Sequence, residues 1–232
     1  YSNKTWRACA LCMLAALAMT TGCQNKPAET ADSTNAATDS VVAESPLDNA
    51  VVRAIMDRRS VRKYKPEPVP KEMLDVILHC GINAPNAMNE QRWEVRVTES
   101  KAFIDGVTKV FIESAENDER VQKLVKNPDF HNMFRNAPTV IFVAGKADEK
   151  SSPIDCGLLG ENIMLAAQSM GLGTCCLGSA AGFLNSNPGA ANYLKQLAFS
   201  DGYELLYAIA IGYPDESPEA KPRDASKIRY IE

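Results

Sequence analysis

Asp155-Cys156-Gly157-Leu158-Leu159-Gly160-Glu161-Asn162-Ile163-Met164-Leu165-Ala166-Ala167-Gln168-Ser169-Met170 reads as the strongest helix in the chain. Leu158, Leu159, Ile163, Leu165, Ala166 and Ala167 make it apolar over most of its surface. A helix with so little polar face lies centrally, on a sheet or against a partner subunit. Gly171 and Gly173 end it and release an apolar strand that runs through Leu177.

The flanking chain supplies the other layers. Thr139 to Ala144 is a short hydrophobic strand suited to the middle of a sheet, and Trp93, Val95 and Val97 alternate as another. Between them, Ser100 to Phe134 is helical or irregular. Upstream, Ser45-Pro46-Leu47-Asp48 marks a helix start, with proline at the first helical position and an acid in the first turn. Leu47, Val51, Val52, Ile55 and Met56 form that helix's apolar stripe. A proline-punctuated turn from Lys65 to Pro70 leads to a second helix, with Met73, Leu74, Ile77 and Leu78 on one face and a stop at Gly81. Downstream, Pro188 starts a short helix and Tyr203 to Ile211 is the last apolar strand. Strands separated by helices, with few hairpin turns, predict an α+β or three-layer arrangement.

The first 45 residues stand outside that domain. Lys4 and Arg7 precede twelve apolar residues, Ala8 to Met19, and then Thr20-Thr21-Gly22-Cys23. The run is too short to span a bilayer and fits a secretory signal peptide over residues 1–23. Cys23 after a glycine resembles the lipidation site of bacterial lipoproteins, although Thr20 stands where leucine is usual. Residues 24–45, rich in Ala, Thr, Ser, Asn and acid, bury too little to order themselves and read as a linker to the domain at 46–232. The predicted location is the bacterial cell envelope, lipid-anchored and facing the periplasm or exterior, with the cytoplasm as the alternative.

Composition excludes several classes. The formal charge is −4, and loss of Lys4 and Arg7 makes it more negative, so no broad basic face exists for nucleic acid. Cys80, Cys156, Cys175 and Cys176 match neither zinc spacing nor a disulfide scaffold. His79 and His131 are the only histidines, which leaves no material for a Ser-His-Asp arrangement or a metal site. No G-x-G-x-x-G follows a first strand and no P-loop occurs.

Against this acidic background, Arg58-Arg59-Ser60-Val61-Arg62 and Lys221-Pro222-Arg223 bring five cations from the two ends of the domain. Guanidinium forks with a nearby hydroxyl suit one highly charged anion, and a terminal phosphate is the natural candidate.

These segments, read in order, resemble the FMN-dependent nitroreductase family from about Leu47 to Ile231. The opening signature is Arg58-Arg59-Ser60-Val61-Arg62-Lys63-Tyr64. The second is Ala84-Pro85-Asn86-Ala87-Met88-Asn89-Glu90-Gln91-Arg92-Trp93, in which Asn86 replaces the usual serine and Arg92 the usual proline. Gly171 to Gly178 after the long helix, then Ile211-Gly212-Tyr213-Pro214 with Lys221-Pro222-Arg223, complete the pattern.

The resemblance implies an intertwined homodimer, a three-layer α/β/α sandwich with two FMN sites at the subunit interface. Arg58, Ser60, Arg62, Lys221 and Arg223 would hold the ribityl phosphate, and Arg59 would act through its backbone. Pro85, Asn86, Ala87, Met88 and Asn89 would reach the flavin from the other subunit, and Leu177 and Gly178 would meet the ring near N5. No side chain is required as a catalytic nucleophile, and no metal is implied. The implied activity is two-electron transfer from NAD(P)H, or from a membrane redox partner if the chain is exported, to a nitroaromatic or quinone-like acceptor. Reductive dehalogenation, flavin fragmentation and non-catalytic flavin carriage by an envelope lipoprotein are the alternatives.

Overall fold

A computed structural model describes residues 46–231; the signal-peptide and linker readings lie outside the described residues. The elements run α1 (Ala50–Asp57), α2 (Lys71–Ile82), β1 (Trp93–Thr98), α3 (Lys101–Ser114), α4 (Glu119–Val125), β2 (Thr139–Lys146), α5 (Ser152–Ser169), β3 (Gly173–Leu177), α6 (Gly178–Ser186), α7 (Ala191–Gln196) and β4 (Tyr203–Gly212). The strands form one antiparallel sheet in the order β1-β2-β4-β3.

β2 and β4 occupy the middle of the sheet, and their side chains divide by the two-residue period of a strand. Val140, Phe142, Ala208 and Ala210 face a core shared with Phe103, Val107, Phe134 and Leu184. Ile141, Val143, Ile209 and Ile211 face the other core, with Ile77, Leu159 and Ile163. Both sheet faces are thus roofed by helix, α2 and α5 on one side and α3 and α6 on the other. This is the α/β/α sandwich the sequence predicts, and it explains why β2 reads as an uninterrupted hydrophobic run.

Three local expectations are corrected. α1 begins after Asn49, not at Pro46, because the Asn49 carboxamide accepts from the Val51 and Val52 N–H groups at 3.0 and 3.1 Å and caps the helix. Its apolar stripe is not covered within the described chain: Leu47, Val51, Ile55 and Met56 are all exposed. α2 runs through Gly81 to Ile82. There the missing side chain lets α5 approach, since a Cβ on Gly81 would lie 2.6 Å from Ile163 Cγ1. The helix α6, directly after β3, was not anticipated; Gly178, Ser179 and Gly182 hide it from a periodicity argument.

Candidate functional site

The basic strip is welded to the free edge of β3. Arg58 leaves helical geometry at φ −57, ψ 133, and closes α1 by donating its N–H to the Ala54 carbonyl at 3.1 Å. The Arg59 guanidinium turns back to the Met56 and Arg58 carbonyls at 2.7 and 2.8 Å, meeting acceptors that a helix end leaves unpaired. Both bonds are made by Nη1, which ties the guanidinium to the end of α1. Ser60 then bridges Thr174, and the Val61 N–H donates to the Thr174 carbonyl at 2.9 Å. A Cβ on Gly173 would stand 2.8 Å from Val61 Cγ2, so any side chain there would push the strip off the strand.

Past Ser60 the strip crosses to the exit of β4. The Lys65 N–H donates to the Tyr213 carbonyl and the Asp215 N–H to the Lys63 carbonyl, both at 2.9 Å. Tyr64 is buried beneath, its hydroxyl donating to the Val61 carbonyl at 2.6 Å, and burial drives its pKa upward. It is a structural phenol. The guanidiniums of Arg58 and Arg62 stay on the outer side. Arg62 donates to the Ser60 carbonyl at 3.0 Å and is paired with no carboxylate among the described residues, while Arg58 lies 3.7 Å from Glu161 of α5.

β3 runs from this strip into α6 at Leu177 and Gly178. No side chain caps α6, so the N–H groups of its first turn face outward at the strand end. A Cβ on Gly178 would meet nothing within 4 Å, which leaves open space there for a flat group. Cys176 lies beside Arg58 and Glu161, and Cys175 points into the core; burial raises the pKa of both. Burial likewise pushes Cys156 up to about 11. The described thiols near the site are therefore protonated at neutral pH, and no nucleophile is assembled from them.

The remaining expected residues are not brought to this strip within one chain. Pro85–Asn89 folds at the N-terminal end of α5, where the Ala87 N–H donates to Asp155 Oδ1 at 3.2 Å, whereas Arg58 lies beside Glu161 in the middle of the helix. Asp155 and Glu161 are six residues apart on α5, about 9 Å along its axis. Met88, Asn89 and Gln91 adopt left-handed backbone at φ 54, 56 and 49, and Met88 is 90% exposed. Asn86 justifies its place in the turn: its side-chain Oδ1 accepts from the Gln91 N–H at 2.9 Å. Arg92, the other departure, is held by Glu90, by Glu149 at 3.1 Å and by Ser151 at 3.2 Å. It staples the turn to the segment before α5. Lys221 and Arg223 are exposed on the C-terminal segment, and Arg223 donates only to the Lys221 carbonyl, at 3.0 Å. The nearest tie is Glu216, whose carboxylate accepts the Arg62 N–H.

Sequence reasoning missed Asp155, Glu161, Glu216 and Arg135. Asp155 carried a signal, an acid opening an otherwise apolar helix. It is 4% exposed, and its Oδ2 has no hydrogen-bond partner among the described residues.

The arrangement fits a flat, phosphate-bearing cofactor: cations and a hydroxyl along the strip, main-chain donors and open space at the strand end. The described chain is similar to known proteins over most of its length. The pattern of the nitroreductase family matches residues 55–213. A Methanothermobacter thermautotrophicus relative of the NADH dehydrogenase/NAD(P)H nitroreductase type is 31% identical over 173 residues, covering 72% of this chain and 79% of that protein. The NADPH-flavin oxidoreductase of Vibrio harveyi is 28% identical, covering 75% of this chain and 70% of its own. The crystal structure of a nitroreductase with bound FMN from Desulfitobacterium hafniense superposes with a TM-score of 0.71 at 26% identity, over 79% of this chain and 99% of that one. By the match over residues 55–213 and the 31% identity to the Methanothermobacter relative, the chain belongs to the nitroreductase family.

Proposed function

We propose that the chain is an FMN-dependent oxidoreductase that passes two electrons from NAD(P)H to a nitroaromatic or quinone-like acceptor. The observation that carries this reading is the Arg58–Arg62 strip on the β3 edge, leading to the uncapped start of α6. Bound FMN supplies the chemistry, hydride acceptance and release at N5. The chain's own residues bind and orient. Arg58, Ser60 and Arg62, joined by Lys221 and Arg223 of the C-terminal segment, hold the phosphate by charge-assisted hydrogen bonds. The Leu177 and Gly178 main chain meets the ring edge. Arg59 contributes through its backbone, its guanidinium being engaged by α1.

The site is completed by a second copy of the chain. Pro85–Asn89 is held by Asp155, away from the Glu161 that Arg58 meets, and the exposed apolar residues of α1, with Ile154 and Leu158 of α5, are a surface a symmetric partner would cover. The partner would then present Pro85 to Asn89 to the flavin. Reconstitution tests the whole reading: purified protein dialysed with FMN should retain flavin absorbance, elute as a dimer and be bleached by NADH or NADPH. Protein that stays colourless defeats it; protein that binds FMN but is never reduced is a carrier.

The export reading of Cys23 belongs to the same proposal, since an envelope location would replace NAD(P)H with a membrane redox partner. Palmitate incorporation that persists in Cys23→Ala would remove the anchor.

A further inference from the structure

A cleft of about 750 Å³ opens between Arg62–Tyr64, the start of α6 at Ser179 and residues 127–136. That volume is in the range of small-molecule sites. It begins where the proposed flavin site ends, because Ser179 follows Gly178 and Arg62 belongs to the phosphate strip.

Its outer wall is rigid. Asn136 accepts the His131 and Asn132 N–H groups on its side-chain oxygen at 2.8 and 2.9 Å and donates to the Asp129 carbonyl. Asn132 accepts the Phe134 and Asn136 N–H groups at 2.9 and 3.0 Å. This lattice holds Arg135 and Asn136 at φ 62 and 63, both left-handed. Asparagine tolerates that geometry, whereas arginine adopts it at a cost, and strain of this kind clusters at functional sites.

The strained residue is the one with unused chemistry. Arg135 is exposed to the cleft and has no hydrogen bond or ion pair to any described residue. Arg62 and Arg135 both line the cleft. The lining holds Arg62, Lys63 and Arg135 against Asp129 and Asp215, and Lys63 lies 3.9 Å from Asp129. Arg135 is left without a counter-charge. Phe111, Phe130 and Met133 supply apolar walls.

We infer that this cleft seats the second substrate and that Arg135 selects a planar aromatic bearing a carboxylate. The inference rests on the flavin reading for turnover, but the binding site itself is built from this chain's residues. A forked guanidinium opposite aromatic walls matches a ring with an acid substituent, and a neutral ring would leave it unpaired.

The test compares 4-nitrobenzoate with its methyl ester as acceptors for FMN-loaded protein, and benzoate binding by calorimetry. Wild-type protein should prefer the acid in kcat/KM and bind benzoate. In Arg135→Gln, both the acid-to-ester ratio and benzoate affinity should fall roughly ten- to hundred-fold, the worth of a charge-assisted hydrogen bond. Arg135→Lys should recover part of each. Equal use of acid and ester by wild-type protein, or a ratio unmoved by Arg135→Gln, would overturn the assignment. So would loss of FMN affinity in Arg135→Gln, which would put Arg135 in the flavin cradle instead. Protein that takes no FMN sinks the flavin reading alone, because benzoate calorimetry still decides whether the cleft binds an aromatic acid.

Discussion

α1 and α5 relate pattern to burial in opposite ways. α1 has a well-defined apolar stripe, yet Val51 is 66% and Met56 67% exposed, and none of its residues is buried. α5 shows almost no preferred apolar face. Its buried residues nevertheless fall on one stripe, Ser152, Asp155, Cys156, Leu159, Gly160, Ile163 and Ala167. The rest of α5 is apolar as well and stays outside, with Ile154 and Leu158 exposed. The difference teaches that α5 packs one side on the sheet and leaves an apolar outer side exposed beside the exposed stripe of α1, the surface that the proposed dimer would cover. The sequence argument for a dimer rested on α5; α1 carries it better.

The largest effect should come from the inner side of α5. Leu159→Ala removes a fully buried side chain between α2 and the sheet, and a loss of roughly 2–5 kcal/mol is expected. Chemical denaturation measures it. A loss under about 1 kcal/mol would show that this side is less tightly packed than its burial implies.

On the outer side, Val51→Asp with Ile55→Asp puts two charges on the α1 stripe without touching the core. Light scattering should give a monomer with wild-type circular dichroism and weakened FMN binding. A variant that remains dimeric would move the interface elsewhere and break the comparison.

The strip between these helices gives the next two effects. Arg58→Ala should weaken FMN about ten- to hundred-fold, for a charge-assisted bond worth roughly 1.5–3 kcal/mol, and leave riboflavin affinity nearly unchanged. Equal weakening of both ligands would mean that Arg58, through Glu161, serves α5 rather than phosphate. Asp155→Ala strips the Ala87 N–H of its acceptor in the turn and should cost roughly 1–3 kcal/mol. Amide exchange at Ala87 would rise before global unfolding if the carboxylate fixes the turn.

Arg59→Ala is the smallest. Losing two helix-end bonds from an exposed side chain should cost about 1 kcal/mol or less, with little change in FMN affinity. A phosphate-sized loss would show that its guanidinium leaves α1 when ligand binds.

Much of the fold was legible in the residues: alternation marked β1, and an unbroken apolar run marked β2 as central. Residue type also singled out Arg58, Arg59, Ser60 and Arg62 as candidates for a phosphate, and the structure strings them along one strip at the β3 edge. Capping chemistry was misjudged at α1, where Asn49 outcompetes Pro46, and α6 was lost among small residues.

The sequence by itself determined the strand and helix periods, the cations available for an anion and the family pattern, because each depends on neighbours within a few residues. Tertiary structure alone decided that the strip lies on the β3 edge, that Asp155 reaches Ala87, 68 residues away, and that Arg135 stands unpaired in a cleft. Those facts depend on contacts between segments far apart in sequence, which no local pattern encodes.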